Sequence, residues 1–206
     1  MEQQEVQDTI RHIKSELRLA MNGIASSYMR ENGMDYKLNF GVEIPRLRTI
    51  AEEFPHDHQL AQALWKENIR ECKLLAGMLQ PIDSFYPEIA DIWMESITNT
   101  EIAQHTVMNL FCKLPYASEK AFQWIADEQE MPQICGYLIL ARLFMQGKEP
   151  NEMAENEFLD QAESAINSTV EVRRAACSAI QKYQSLNEVA FRKGKHILDN
   201  FTNRNK

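Results

Sequence analysis

A polar residue followed three positions later by glutamate, with an apolar stripe behind it, recurs along the chain as Asn68-x-x-Glu71, Thr98-x-x-Glu101 and Ser168-x-x-Glu171. Each reads as a capping box: the first side chain accepts from an orphan backbone N–H of a helix start, and the glutamate reaches back to close the pair. A further unit holds Pro132 at the corresponding place, where its missing N–H would be unpaired anyway. Behind these starts, Ile69, Cys72, Ala76 and Leu79, then Ala103, Val107 and Leu110, then Ile134, Tyr137, Ala141 and Phe144, then Val172, Ala176, Ala179 and Tyr183 keep the i, i+3/i+4, i+7 spacing of a helix with one buried face. The spacing places Cys72, Cys135, Ala76, Ala141 and Ala176 in the interior. Successive starts lie roughly 30 to 40 residues apart, the repeat length of helix pairs that cannot bury their apolar faces singly and must stack.

The fold class that follows is all-α: a HEAT-like or armadillo-type right-handed superhelix of stacked antiparallel helix pairs, a single domain over residues 1–206. An amphipathic helix from Gln4 to Arg30 presents Val6, Ile10, Ile13, Leu17 and Ala20/Met21 and stops before Asn32-Gly33, so residues 1–33 form an N-terminal cap. Met34 to Ile44 lacks a helical period, and Pro45 opens the next helix, to Phe54. Pairs follow: His58 to Lys66 with Ile69 to Gln80, Phe85 to Ile97 with Glu101 to Leu114, Ser118 to Glu128 with Gln133 to Gln146, and Glu155 to Asn167 with Val170 to Gln184. A basic helix within 185–206 closes the chain.

With 206 residues, 44% of them hydrophobic, the chain can bury a substantial core. Its longest apolar runs are far below spanning length and its N-terminus, MEQQEVQD, is acidic, so a soluble, cytoplasmic monomer without membrane contact is expected. The four cysteines, Cys72, Cys112, Cys135 and Cys177, fall mostly on apolar stripes with no C-x-x-C and no histidine at ligand spacing, so reduced thiols are expected and neither a metal nor a cofactor is. His56-x-His58 has no third ligand in view, and Asp57 between them suits a helix cap. The net charge of −8 argues against indiscriminate nucleic-acid binding, yet Ser168 to Lys206 carries eight basic side chains (Arg173, Arg174, Lys182, Arg192, Lys193, Lys195, Arg204 and Lys206) against three acidic ones.

One stretch is more specific than any helical period. Phe40-Gly41-Val42-Glu43-Ile44-Pro45-Arg46-Leu47-Arg48, followed by Leu64-Trp65 and by Glu71 with Leu74-Leu75-Ala76, resembles the AlkD family of DNA alkylation repair enzymes, HEAT-like repeat glycosylases for alkylated purines, through its G-V-x-x-P-x-L-R and L-W-x-x-x-x-x-E stretches. The detailed likeness covers about forty residues. Physically the same motif reads as a corner, with Gly41 free in its backbone angles, Pro45 opening a helix, Leu47 facing inward and Trp65 a packed anchor. Arg46 and Arg48 can meet either a phosphate or a carboxylate or carbonyl of their own chain.

What the resemblance implies for catalysis is not met by the residues. The family places W-D-x-x-D at the start of one inner helix, where this chain reads Thr100-Glu101-Ile102-Ala103-Gln104. Thr100 offers no aromatic face to a cationic base, and neutral Gln104 no carboxylate to a positively charged sugar. The arginine implied near the start of the next inner helix is absent from Pro132-Gln133-Ile134-Cys135-Gly136. Glu101 and His105, i and i+4, are the remaining acid/base candidates, although an exposed Glu–His pair is ordinary on any helix. Two functions stay open. One is DNA binding or damage recognition with duplex DNA as partner, phosphates being met by Arg46, Arg48, Arg173, Arg174, Lys193 and Lys195, and excision activity undecided; the other is a protein-interaction scaffold with a protein partner.

Overall fold

The computed structural model describes residues 1–34 and 36–204, which hold twelve α-helices, two short 3-10 turns (Ile82–Ser84 and Phe111–Lys113) and one isolated parallel bridge, Leu38 to Ile69. They fall into two compact units, Met1–Trp93 and Met94–Lys206. No described helix is long and apolar enough to cross a membrane.

The first unit contains α1 (Gln3–Leu19), α2 (Gly23–Glu31), α3 (Ile44–Glu52), α4 (His58–Lys66), α5 (Arg70–Leu79) and most of α6 (Pro87–Glu95). Val6, Ile10, Ile13 and Leu17 form the buried face of α1, and α4 packs on both α1 and α5. The single helix expected from Gln4 to Arg30 is two. Asn22 breaks it: its backbone N–H leaves the helical ladder for the carbonyl of Phe40 at 2.9 Å, and its side chain caps α2 by accepting from Ala25 N–H at 3.1 Å. Met21 consequently emerges 61% exposed. Asp57 caps α4, accepting from Leu60 N–H at 2.8 Å.

The second unit contains α7 (Thr100–Asn109), α8 (Ala117–Ile125), α9 (Glu130–Met145), α10 (Glu152–Ala165), α11 (Val170–Tyr183) and α12 (Glu188–Arg204). Helix α9 is its centre, packed against α7, α8 and α11 and apolar nearly all round, which is why a burial stripe alone describes it poorly. Gly136 permits the α8–α9 approach, since a Cβ there would lie 2.6 Å from the Ile125 Cγ2 and 2.7 Å from the Ala121 carbonyl oxygen. Phe144, Phe158 and Tyr183 join α9, α10 and α11 in a ring cluster with centroids 5.0 to 5.6 Å apart. Cys72, Ala76, Cys135, Ala141 and Ala176 are all buried, as the stripes required.

The three capping boxes do not form. Asn68 and Ile69 are held extended by the bridge, with Leu38 N–H donating to the Asn68 carbonyl at 3.4 Å and Arg70 N–H to that of Leu38 at 3.3 Å, so α5 starts at Arg70 without a side-chain cap. At α7 the cap is Asn99, one residue after Thr98, accepting from Ile102 N–H at 3.0 Å. At α11 Ser168 still belongs to the preceding turn, its N–H bonded to the Ala165 carbonyl at 3.1 Å, and Thr169 takes the cap position with no side-chain bond. Pro132 does lie in the first turn of α9.

Candidate nucleic-acid interface

In the first unit the Phe40–Val42 stretch is a pinned corner. The buried Glu71 carboxylate accepts from the backbone N–H groups of Phe40 and Val42 at 3.1 and 3.2 Å and from Arg70 Nη1 at 2.9 Å, while Arg70 also donates to the Val42 carbonyl at 2.9 Å. Gly41 has φ 69°, and a Cβ there would fall 2.3 Å from the Asn22 carbonyl oxygen. Ser26 completes the latch by donating to the Asn39 carbonyl at 2.7 Å. The motif therefore sets α2 against the start of α3.

Between those helices lies an open hollow of about 990 Å³ lined by Met21, Ile24, Tyr28, Glu31, Glu43 and Arg46 among others. Arg46 reaches to 4.0 Å from the Glu16 carboxylate, and Arg48 is exposed further along α3. Trp65 is the anchor expected: 4% exposed and stacked on Trp93 with centroids 4.0 Å apart. Lys73 donates to the Trp65 carbonyl at 2.9 Å with its ammonium over that ring, and burial lowers its pKa.

In the second unit Thr100 and Glu101 open α7, both half-buried, while Gln104 is exposed. Gln104 and His105 share a pocket of about 220 Å³ with Val107, Met108, Leu138 and Arg142. Helices α7 and α9 pack together, and Leu138 and Arg142 both lie in the second half of α9. The arginine of this site thus comes from the last turn of α9. The sequence reading did not nominate Arg142, because a lone arginine at the end of a helix carries no signal beyond that of a helix end.

The nominated C-terminal cations are divided. Arg173 is largely spent on its own chain, its Nε donating to the Ile166 carbonyl at 2.8 Å, its Nη2 to that of Ser168 at 2.9 Å, and its guanidinium 5.3 Å from the Phe201 ring. Lys193 donates to Glu155 Oε2 at 2.5 Å, and the buried Tyr183 hydroxyl donates to the other oxygen of the same carboxylate. These two bonds hold the Glu155 pKa below the ordinary carboxylate value, and burial together with Glu155 pushes that of Tyr183 well up. Arg174 and Lys195 are exposed. Arg192 pairs with Glu188, Arg204 closes α12, and Lys206 lies outside the described residues.

Helix pairs of this kind, with α9 packed against both α7 and α11, define the class of HEAT-like repeat proteins. A solved structure described as "a new family of proteins related to the HEAT-like repeat DNA glycosylases with affinity for branched DNA structures" matches 91% of this chain and 80% of its own, with a TM-score of 0.81 at 16% sequence identity. A likeness at that identity speaks for the fold. Residues 13–183 match the family model described as DNA alkylation repair enzyme, and the chain belongs to that family. No curated protein matches the sequence.

Proposed function

We propose that the protein is a DNA-binding, damage-recognising member of the DNA alkylation repair family that lacks the family's usual excision chemistry. The family match over residues 13–183 supports the DNA role, and the similar solved structure, with its affinity for branched DNA, agrees with it. The observation carrying the rest of the reading is the pocket on α7 and α9, which presents Gln104, His105 and Arg142. Its polar lining has no tryptophan and no carboxylate, so it offers neither an aromatic cradle for a cationic purine nor an anion for a developing sugar cation. Binding in this reading is directed at the backbone and tolerant of sequence, and the 206 residues act as one intracellular, monomeric domain. Arg48, Arg174 and Lys195, exposed, remain available to phosphates.

The test is titration of a labelled duplex, unmodified and containing an alkylated purine, at two salt concentrations, with release of free base followed in the same tubes. The reading expects salt-sensitive binding and no efficient base release. Robust excision that disappears in Glu101→Gln or His105→Ala would overturn the chemical half, and absence of binding at low salt the DNA half. A second reading, a scaffold for a protein partner, is favoured by one observation: Leu19, Met21, Ile24 and Tyr28, around the α1–α2 break, are 78%, 61%, 86% and 67% exposed.

A further inference from the structure

We propose that Lys113, Arg142 and Lys148 form a phosphate-binding edge of the second unit on which the backbone of duplex DNA seats. The inference rests on the DNA reading above and names residues that reading left unassigned. All three residues come from the chain around the C-terminal ends of α7 and α9. Helix α7 runs into the 3-10 turn Phe111–Lys113, and that turn packs on α9. Arg142 leaves the last turn of α9 on the side of α7, in the pocket with His105. Gly147, with φ 73°, then turns the chain back: its N–H bonds the Phe144 carbonyl at 2.9 Å and that of Lys148 bonds the Leu143 carbonyl at 3.1 Å. Lys148 is thereby folded against the end of the helix that carries Arg142.

These cations are not used elsewhere. Lys113 and Lys148 are exposed and Arg142 is half-buried, and among the described residues none makes a side-chain hydrogen bond or ion pair. The adjacent Glu149 is directed to Asn187, whose Nδ2 donates to it at 3.2 Å. Their convergence is felt by Cys112, whose thiol pKa, pushed up by burial, is drawn back by Lys113, Arg142 and Lys148 together. Arg173, Lys193 and Arg46, by contrast, already face carbonyls or carboxylates of their own chain.

Charge along the helices is also polarised. Helices α7, α9 and α11 each begin with an acidic first turn, Glu101, Glu130 and Glu171, whereas Lys113, Arg142 and Lys148 stand at or beyond the C-terminal ends of α7 and α9. A preference for cations at helix C-termini accounts for Arg142 alone; it does not account for two further exposed lysines gathered beside it. An open edge of point charges without enclosing walls suits a repeating phosphodiester better than a single small anion, and duplex DNA supplies that repeat.

The experiment is fluorescence anisotropy of a labelled unmodified 20-base-pair duplex between about 50 and 200 mM salt. It compares the full chain with a Lys113→Gln, Arg142→Gln, Lys148→Gln triple variant and an Arg174→Gln, Lys195→Gln variant. Each lost phosphate contact lowers the slope of log affinity against log salt by about 0.9, so the triple variant is expected to lose up to about 2.7 in slope. A triple variant that keeps both slope and affinity, while the comparison variant loses them, overturns the edge and leaves the DNA reading standing. A full chain that does not bind duplex at 50 mM salt sinks both; polyglutamate binding lost in the triple variant would then reassign the edge to an acidic protein. Acetylation of the unmutated protein with and without duplex is a readout independent of the variants' folding. Lys113 and Lys148 should be protected, and equal labelling of both under both conditions overturns the proposal.

Discussion

Glu71 is fully buried, and its carboxylate is the acceptor for two backbone N–H groups and a buried guanidinium. Glu71→Ala should therefore lower unfolding free energy by about 3–5 kcal/mol, because it strands Arg70 and two backbone donors away from water. Urea denaturation followed by circular dichroism measures it, and a loss under 1 kcal/mol would mean that the corner relaxes. Glu155 shows the opposite regime, a partly exposed carboxylate with Lys193 and Tyr183 as partners. Its folded pKa is below the ordinary value of 4.5, so its stabilisation is present above that value and is lost as pH falls through the lower folded pKa. The melting temperature of the native protein should fall towards that of Glu155→Gln as pH drops from about 5 to 3. A gap between the two that is constant with pH would refute the linkage.

At the scale of an element, the decisive event is the interruption of an otherwise continuous amphipathic run at Asn22. The apolar spacing through Met21 suggests carrying α1 onward, but Asn22-Gly23 is a poor helix sequence, and the tertiary bond from Asn22 N–H to the Phe40 carbonyl fixes the break there. Asn22→Ala removes the acceptor for Ala25 N–H and should cost about 1 kcal/mol, with faster amide exchange at Ala25 and unchanged protection in α1. Gly41→Ala acts on the other half of the latch. The left-handed backbone costs about 1–2 kcal/mol for any side chain, and the Cβ would also strike the Asn22 carbonyl. A thermal melt of Gly41→Ala indistinguishable from that of the native protein would show that the loop is not held as described.

For the whole molecule, the helical stripes have a chemical readout. Cys72 and Cys135 are fully buried, and burial pushes the Cys72 thiol up to about 12 and that of Cys135 further, while Cys177 is half-buried. Native protein treated with a thiol reagent near neutral pH should therefore label Cys177 first and leave Cys72 and Cys135 unreacted until denaturant is added. Rapid labelling of Cys135 would mean that the centre of the second unit is not packed as α9 requires. The same burial accounts for the absence of a strong periodic signal in α9: a helix covered by α7, α8 and α11 has little polar face to display.

What the sequence determined by itself was most of the helices and their buried faces, because apolar spacing is a local property that survives any tertiary arrangement. His58–Lys66, the C-terminal stop at Asn32-Gly33, the Asp57 cap and the buried cysteines were all legible in this way. The likeness to the AlkD family was legible too, in a corner motif whose geometry demands glycine and proline at set positions. Only the tertiary structure decided where α5 and α11 begin: Asn68 was committed to a bridge with Leu38, Ser168 to the preceding turn, and Glu71 to a loop some thirty residues upstream. It alone also decided which cations are at liberty. Whether an arginine faces a carbonyl, as Arg173 does, or an open pocket, as Arg142 does, depends on groups that packing brings together from distant parts of the chain.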